Sequence, residues 1–378
     1  MPLHIAIDVR RIRDFGIGTY IRSLVHALSA IDRENRYTLI SGGGDARTLA
    51  GLPENFSAAV YSRGDNTAFD HVAFPLFLRG IAPDLVHIPL NRVPLLLMRP
   101  YVVTIHDMAN LLFPEGRSGL RMQLRRYRFR RGLLRARCVI AVSEATRRDV
   151  QNLMGVRPER IRRVYNAPDP GFYQTGHTAG QHQRILERYQ IQYPFLLYAG
   201  NVRRHKNISR LVEAFAVVRG QLAEHPVYKD LRLVLIGDTI SQYPEVRQAV
   251  IKSRVEPLVR FLGFVPFETL RCFYESAAAF VFPSRYEGFG LPPLEAMACG
   301  TPVVSSNVSS LPEVVGDAAV LVNPENVFDI ARGIREALLD GPLRAELICR
   351  GRVQAARFSW ERTAKEVLDI YREAVAQP

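Results

Sequence analysis

Several things are scarce in this sequence, and each scarcity removes a class of protein. Cysteine occurs four times in 378 residues, as Cys138, Cys272, Cys299 and Cys349. No two of these stand in CxxC or Cys/His ligand spacing, so neither a zinc site nor a disulfide framework is expected, and the thiols read as buried groups in a reducing compartment. Long apolar runs are missing as well. The stretch Val93 to Met98 is interrupted by Pro94 and is far shorter than the roughly 20 residues of a membrane-spanning helix. The opening MPLHIAIDVRR passes straight into a strand-like alternation that contains Asp8, unlike the charged leader and apolar core of a secretion signal. No repeat of solenoid period is visible. Acidic residues are outnumbered, 37 Asp and Glu against 50 Lys and Arg, for a formal charge of +13, which implies attraction to something anionic: nucleic acid, a lipid headgroup surface or a phosphorylated substrate.

What is present is a regular alternation. Short β-branched runs (HIAIDV, YTLIS, LVHIP, YVVTIHD, CVIAVS) are separated by longer helical patterns, and a second series follows with FLLYAG, LRLVLIG, VRFLGFV, AAAFVFPS, TPVVSSN and AAVLVN. This is the signature of parallel sheets wrapped by helices, an α/β fold, and it runs twice. A chain of this length exceeds what one hydrophobic core sustains, so two domains are expected. Pro168, Pro170, Gly171, Gly176 and Gly180 cluster within Ala167 to Tyr193, which places a linker there. The expected domains are residues 1–175 and 190–358, and the amphipathic stretch from Trp360 onward could pack on either.

The positive charge is unevenly spread. Arg121, Arg125, Arg126, Arg128, Arg130, Arg131, Arg135 and Arg137 follow one another with no acidic residue between them. Interleaved with Met122, Leu124, Tyr127, Phe129, Leu133 and Leu134, they form an amphipathic helix with a basic face. It serves either as a solvated face or as a site for an anionic membrane surface. Nucleic acid is disfavoured because no helix-turn-helix, RRM or KH pattern accompanies the arginines.

Ligands of open parallel sheets bind beyond the carboxyl ends of the strands, and four such loops carry chemistry. The first, Arg10 to Tyr20, holds Gly16 and Gly18, whose backbone can approach a phosphate at a helix start or make a tight turn. The second ends at His106-Asp107, where the imidazole can donate to a substrate hydroxyl or be satisfied at a loop edge. The third is Asn201 to Asn207, with Arg203 and Lys206 three apart before a helix, a diphosphate clamp or a solvated basic turn. The fourth runs from Pro283 to Ala298. There Gly288, Phe289, Gly290 and Leu291 lead into a helix opened by Pro292, with amides aimed at an anion. Glu287 and Glu295 stand on either side of that turn, as carboxylates that accept paired hydrogen bonds from sugar hydroxyls.

With Glu287 and Glu295 in E-x7-E spacing inside EGFGLPPLEAMACGTPVV, the chain strongly resembles the retaining glycosyltransferases of family four. DFGIGTY, TIHDM, AVSEATRRDV, VYNAPDP, AGNVRRHKN, SSLPEVVGDAA and FSWERTA look like that family's recurring segments, in the family's order. The resemblance spans nearly the whole chain. It implies the GT-B fold, two Rossmann-like domains facing a cleft, with residues 360–378 crossing back to the first domain. It also implies that the donor is a nucleotide sugar, with GDP-mannose favoured over UDP-glucose or a deoxysugar donor, and that the acceptor is a saccharide or lipid-linked saccharide that meets Arg10 to Asp14 and Asn110 to Arg117.

By resemblance, Glu287 holds the donor sugar's hydroxyls and Glu295 the ribose. Arg203 and Lys206 bind the diphosphate, together with amides near Gly16, Gly18 and Gly288 to Leu291. His106 sits beside the transferring sugar, and Ser143 and Asn201 shape the donor site. Transfer is then front-face, with the leaving diphosphate taking the acceptor's proton. No metal and no other cofactor is expected, because Arg203 and Lys206 supply the neutralising charge and no DxD motif is present. The expected location is cytoplasmic, peripheral at the inner membrane face. Two competing readings are a GT-B sugar-nucleotide epimerase, which needs no acceptor, and a non-catalytic adaptor for anionic surfaces built on the arginine helix.

Overall fold

A computed structural model describes residues 2–14, 16–43, 50–63, 69–114, 119–174, 179–238 and 243–376. Phe15, Arg117 and Gly176, named above, lie outside the described residues, as does the side chain of Arg121. The chain divides into two compact units: residues 1–166 with 359–378, and residues 167–358.

The first unit is built on a seven-stranded parallel sheet: β1 (His4–Asp8), β2 (Arg36–Ser41), β3 (Phe56–Val60), β4 (Leu85–Ile88), β5 (Tyr101–Ile105), β6 (Cys138–Ala141) and β7 (Ile161–Arg163). Its order is β3-β2-β1-β4-β5-β6-β7. The second unit carries β8 (Phe195–Ala199), β9 (Arg232–Ile236), β10 (Val259–Gly263), β11 (Ala279–Phe282), β12 (Val303–Ser306) and β13 (Ala319–Val322), ordered β10-β9-β8-β11-β12-β13. Every residue of β1, β4, β5, β6, β8, β11 and β12 is buried, as expected of parallel strands covered by helices on both faces. In each sheet the chain steps outward and then returns to the other side of its first strand. The order therefore reverses between β1 and β4, and again between β8 and β11. Ligands of such sheets bind at these switch points, beyond the strands' carboxyl ends. The loops after β1, β8 and β11 are three of the four singled out above.

Two differences from the sequence expectation have physical causes, while the C-terminal helix falls in the first unit, as the resemblance implied. Residues 167–174, placed with the first domain, belong to the second: Phe172 packs on Phe267 and Tyr274, with ring centroids 4.6 and 5.7 Å away, and the Tyr173 hydroxyl donates to Ala355 O at 2.8 Å. The stretch read as an unstructured linker contains a helix, Ala179–Arg188, anchored by His182 against Glu275. The C-terminal helix, Trp360–Ala376, packs on the first unit. Its buried Trp360, Ala364, Val367, Tyr371 and Ala374 recur every three to four residues and face the Ile17–Ile31 helix, β4 and β5. Thr363 Oγ1 donates to Tyr165 O at 2.7 Å, where this helix meets the end of the unit's main segment. Among the described residues, no helix is long and apolar enough to cross a membrane.

Candidate active site

The second unit brings the basic turn and the glutamate loop together. After β8 the chain passes Asn201, half-buried, and Arg203, exposed, into a 3-10 turn at Arg204–Lys206. Asn207 then takes a left-handed conformation (φ 63°) ahead of the Ile208–Gln221 helix. Its buried amide donates to Pro283 O at 3.0 Å and Pro324 O at 2.7 Å, pinning the turn to the loops after β11 and β13. Lys206 is thereby carried onto Glu287: Nζ lies 2.6 Å from both carboxylate oxygens. The two side chains keep only 16% and 9% of their surface exposed, so this is not the surface turn that Glu287 might have occupied. Arg203 makes no ion pair among the described residues, which leaves its guanidinium available to a ligand.

The glutamate loop is braced from behind. The backbone N–H of Glu287 donates to Ser309 Oγ at 3.2 Å, and that hydroxyl donates back to Glu287 O at 2.7 Å. Ser310 Oγ lies 2.6 Å from Phe289 O. Gly290 has φ 118°, in the left-handed region, and a Cβ there would come within 2.8 Å of Leu311 Cδ2. Only glycine fits, and it turns the chain into the Leu291–Ala298 helix. Glu295 is one turn into that helix, half-buried, and Oε2 accepts a hydrogen bond from the buried Tyr274 hydroxyl at 2.9 Å. Burial pushes its carboxyl up to about 7, against the opposing pull of that hydrogen bond.

In the first unit the β1 loop is more committed to its own structure than its sequence suggests. Arg10 is turned inward. Its guanidinium bonds Asp8 at 2.7 Å and Asp70 at 3.1 Å and lies over the Phe74 ring at 4.3 Å, so it is not a surface group for an acceptor. The N–H of Gly18 already donates to Asp14 O at 3.0 Å, and a Cβ at Gly18 would stand 2.6 Å from Ile12 O. That glycine is required by close backbone approach, and its amide is engaged. Gly16 precedes the Ile17–Ile31 helix at φ 69°.

His106, just past β5, is half-buried. Its Nε2 lies 3.2 Å from Pro89 O, and a carbonyl only accepts, so Nε2 carries the proton. Burial holds the imidazole down to about 4. It is therefore neutral near pH 7, with Nδ1 unprotonated. The ring offers a ligand an acceptor, where the sequence suggested a donor. Ser143, past the neighbouring β6, is fully buried and caps the Glu144–Met154 helix, its Oγ accepting from Thr146 N at 2.9 Å. That hydroxyl is occupied by the helix it starts.

Residues 16–172 match the family described as Glycosyltransferase Family 4, and residues 183–354 match Glycosyl transferases group 1. The chain is 33% identical to the O-antigen chain mannosyltransferase B of Escherichia coli, over 94% of this chain and 96% of that one. It belongs to the family 4, group 1 glycosyltransferases. The Escherichia coli serotype-specific mannosyltransferase WbdA is 27% identical over 96% of this chain, which spans 47% of WbdA's length. Among solved structures, Anabaena HepE in complex with UDP and glucose superposes with a TM-score of 0.77 at 20% identity, covering 98% of this chain and all of that one, a likeness of GT-B fold. The protein is thus a glycosyltransferase enzyme, and the adaptor reading has no support.

Within this glycosyltransferase, Lys206 and Glu287 are in direct contact, and Glu295 follows on the same loop-helix unit with its own partner. Three groups of residues that hold the site went unassigned in the sequence. Asn207 was visible only as the end of the basic motif. Ser309 and Ser310 sit in the SSLPEVVGDAA segment, which carried no role. Tyr274 reads as one more core aromatic. Each acts through a partner more than 20 positions away, so spacing along the chain offers no signal for it.

Proposed function

We propose that this glycosyltransferase is a retaining mannosyltransferase, taking its sugar from GDP-mannose and passing it to a saccharide or lipid-linked saccharide in the synthesis of a cell-surface polysaccharide. The observation that carries this reading is the end-to-end similarity to an O-antigen chain mannosyltransferase. The roles follow the family resemblance. Arg203 and Lys206 receive the diphosphate together with the amides of Gly288 to Leu291. Glu287 receives sugar hydroxyls, Glu295 the ribose, and His106 Nδ1 accepts from a hydroxyl of the transferring sugar.

In the reaction, the bond from the anomeric carbon to the diphosphate oxygen breaks and a bond to the acceptor oxygen forms on the same face. The acceptor's proton passes to the departing diphosphate. No protein nucleophile takes part. The protein's work is to stabilise charge growing on the diphosphate, which fixed cations and amides do well when water is excluded. These cations make a metal unnecessary. A transfer assay with purified protein and chelator tests this: release of GDP from GDP-mannose, dependent on saccharide acceptor and undiminished by EDTA, with an axially linked α-mannoside as product, is expected. A product of inverted configuration would overturn the retaining assignment.

Ribose recognition by Glu295 carries a pH signature. The carboxyl is raised to about 7, so below pH 7 it is largely protonated and above pH 7 it is a carboxylate able to accept from both ribose hydroxyls. Nucleotide affinity is expected to rise between pH 6 and pH 8 and then level off, and this rise is expected to vanish in Glu295→Gln. A pH-independent affinity in the unsubstituted enzyme removes the assignment.

The arginine helix, Leu120–Arg135, supports attachment to an anionic membrane surface. Leu124 and Tyr127 are 44% and 57% exposed beside exposed Arg125, Arg126 and Arg131. Mixed apolar and basic exposure suits a headgroup layer better than water. Arginines of the segment also make internal contacts: Arg130 donates to Met154 O at 2.9 Å, Arg135 to Leu95 O at 3.0 Å and, at a longer 3.5 Å, Arg126 to Leu153 O. At about 1 kcal/mol per basic residue, replacing Arg125, Arg126 and Arg131 by Ser should weaken binding to phosphatidylglycerol vesicles about 100-fold at low salt. Equal binding by the triple variant in a sedimentation assay counts against the attachment.

A further inference from the structure

His106 is held by more than its own loop. Its ring meets the edge of Tyr20 at a centroid distance of 4.7 Å and an interplanar angle of 76°. Tyr20 lies in the first turn of the Ile17–Ile31 helix and is 1% exposed. Its ring also meets Trp360, at 5.8 Å. The Tyr20 hydroxyl lies 3.1 Å from Thr104 Oγ1, which lies 2.8 Å from His87 Nε2. His87 Nδ1 lies 2.6 Å from the Tyr371 hydroxyl. All four side chains of this chain are fully buried. Burial holds His87 down to about 3, so its ring is neutral, with one nitrogen donating and the other accepting.

Both ends of the arrangement rest on one element. Trp360 and Tyr371 are eleven residues apart in the C-terminal helix, about three turns at 3.6 residues per turn, and so share a face. One touches Tyr20 directly and the other reaches it through His87 and Thr104. A hydrogen-bonded chain in an apolar core has few alternative arrangements, because any broken link leaves a buried polar atom without a partner. Tyr20 is therefore fixed from two sides by the same helix, and it forms one wall of the His106 ring. We propose that Tyr20 is a positioning residue that couples the seating of the C-terminal helix in the first unit to the orientation of the His106 imidazole. This rests on the role given to His106 above.

Two measurements test the coupling. The first needs no substrate: the His106 ring signals in a protein with labelled histidine, followed through a pH titration and assigned by their loss in His106→Asn. Tyr371→Phe removes the far end of the chain and keeps its ring. Tyr20→Phe removes the near hydroxyl and serves should the first variant fail to fold. Val367→Ala, on the same helix and fully buried but outside the chain, controls for general loosening. Either phenylalanine variant is expected to move the His106 midpoint upward by about one pH unit as the ring gains freedom to reach water, and Val367→Ala is expected to leave it in place. Unmoved signals in both phenylalanine variants, or an equal shift in Val367→Ala, overturn the proposal.

The second measurement is turnover of GDP-mannose. Tyr371→Phe is expected to lower kcat about tenfold with the donor KM within about twofold, and to add nothing in the His106→Ala background. Effects that multiply overturn the proposal while leaving His106 its role. Full turnover by His106→Ala overturns that role and the proposal with it. Unsubstituted enzyme idle on GDP-mannose overturns the donor assignment alone, and the titration then decides the coupling.

Discussion

Glu287→Gln and Lys206→Met are each expected to fold and to lose about 100- to 1,000-fold in kcat, the range seen when one preorganised group is removed from a developing charge. The 2.6 Å contact between the two side chains sharpens this expectation. In the ligand-free protein each neutralises the other, with little water around them. Removing one leaves the other's charge uncompensated, so each single variant should also lose some thermal stability. Removing both relieves that cost, since a buried pair replaced as a unit is often neutral or stabilising. The double variant Lys206→Met/Glu287→Gln should therefore recover stability relative to Lys206→Met while remaining inactive. Stability then recovers while turnover does not, whereas for a purely structural ion pair turnover would return with stability. Near-normal turnover in either single variant would falsify the catalytic assignments.

On the proposed roles, a diphosphate that draws Lys206 away from its contact with Glu287 frees that carboxylate for hydroxyls of the sugar attached to it, so one ligand satisfies both groups at once. Arg203, exposed and without an ion-pair partner among the described residues, needs no such release.

How far this arrangement could be seen in advance depended on whether a residue acts locally. Strands such as β8 and β11 were legible because parallel strands buried on both faces leave continuous β-branched and aromatic runs. β3 and β7 were not. Both are edge strands; β3 has Ser57 and Ala58 exposed, and β7 is Ile-Arg-Arg. The helix Ala179–Arg188 was lost among the glycines and prolines that suggested a linker. Arg203, Lys206, Glu287 and Glu295 could be singled out because they stand in loops just after strand ends, where ligands of parallel sheets bind. The inward turn of Arg10 was not visible, since Asp70, its second carboxylate, lies 60 positions away. The tautomer of His106 depends on Pro89 O, and the pinning of the basic turn depends on carbonyls at Pro283 and Pro324. Such contacts are made by the topology, which brings loops from separate strands to one edge of a sheet.

If the loops after β8 and β11 bind the nucleotide diphosphate of a sugar donor through protein cations and amides, nucleotides should stabilise the protein without a metal. Thermal unfolding with GDP, UDP, TDP and ADP, each with and without EDTA, measures this. At about 100 times its dissociation constant a ligand adds roughly 2.7 kcal/mol to the state that binds it, enough to raise the midpoint of a unit this size by several degrees. A shift of that order is expected with GDP, with smaller shifts for the others, no change on adding EDTA, and loss of the GDP shift in Lys206→Met. A shift with no nucleotide, or one abolished by EDTA, would contradict this mode of binding.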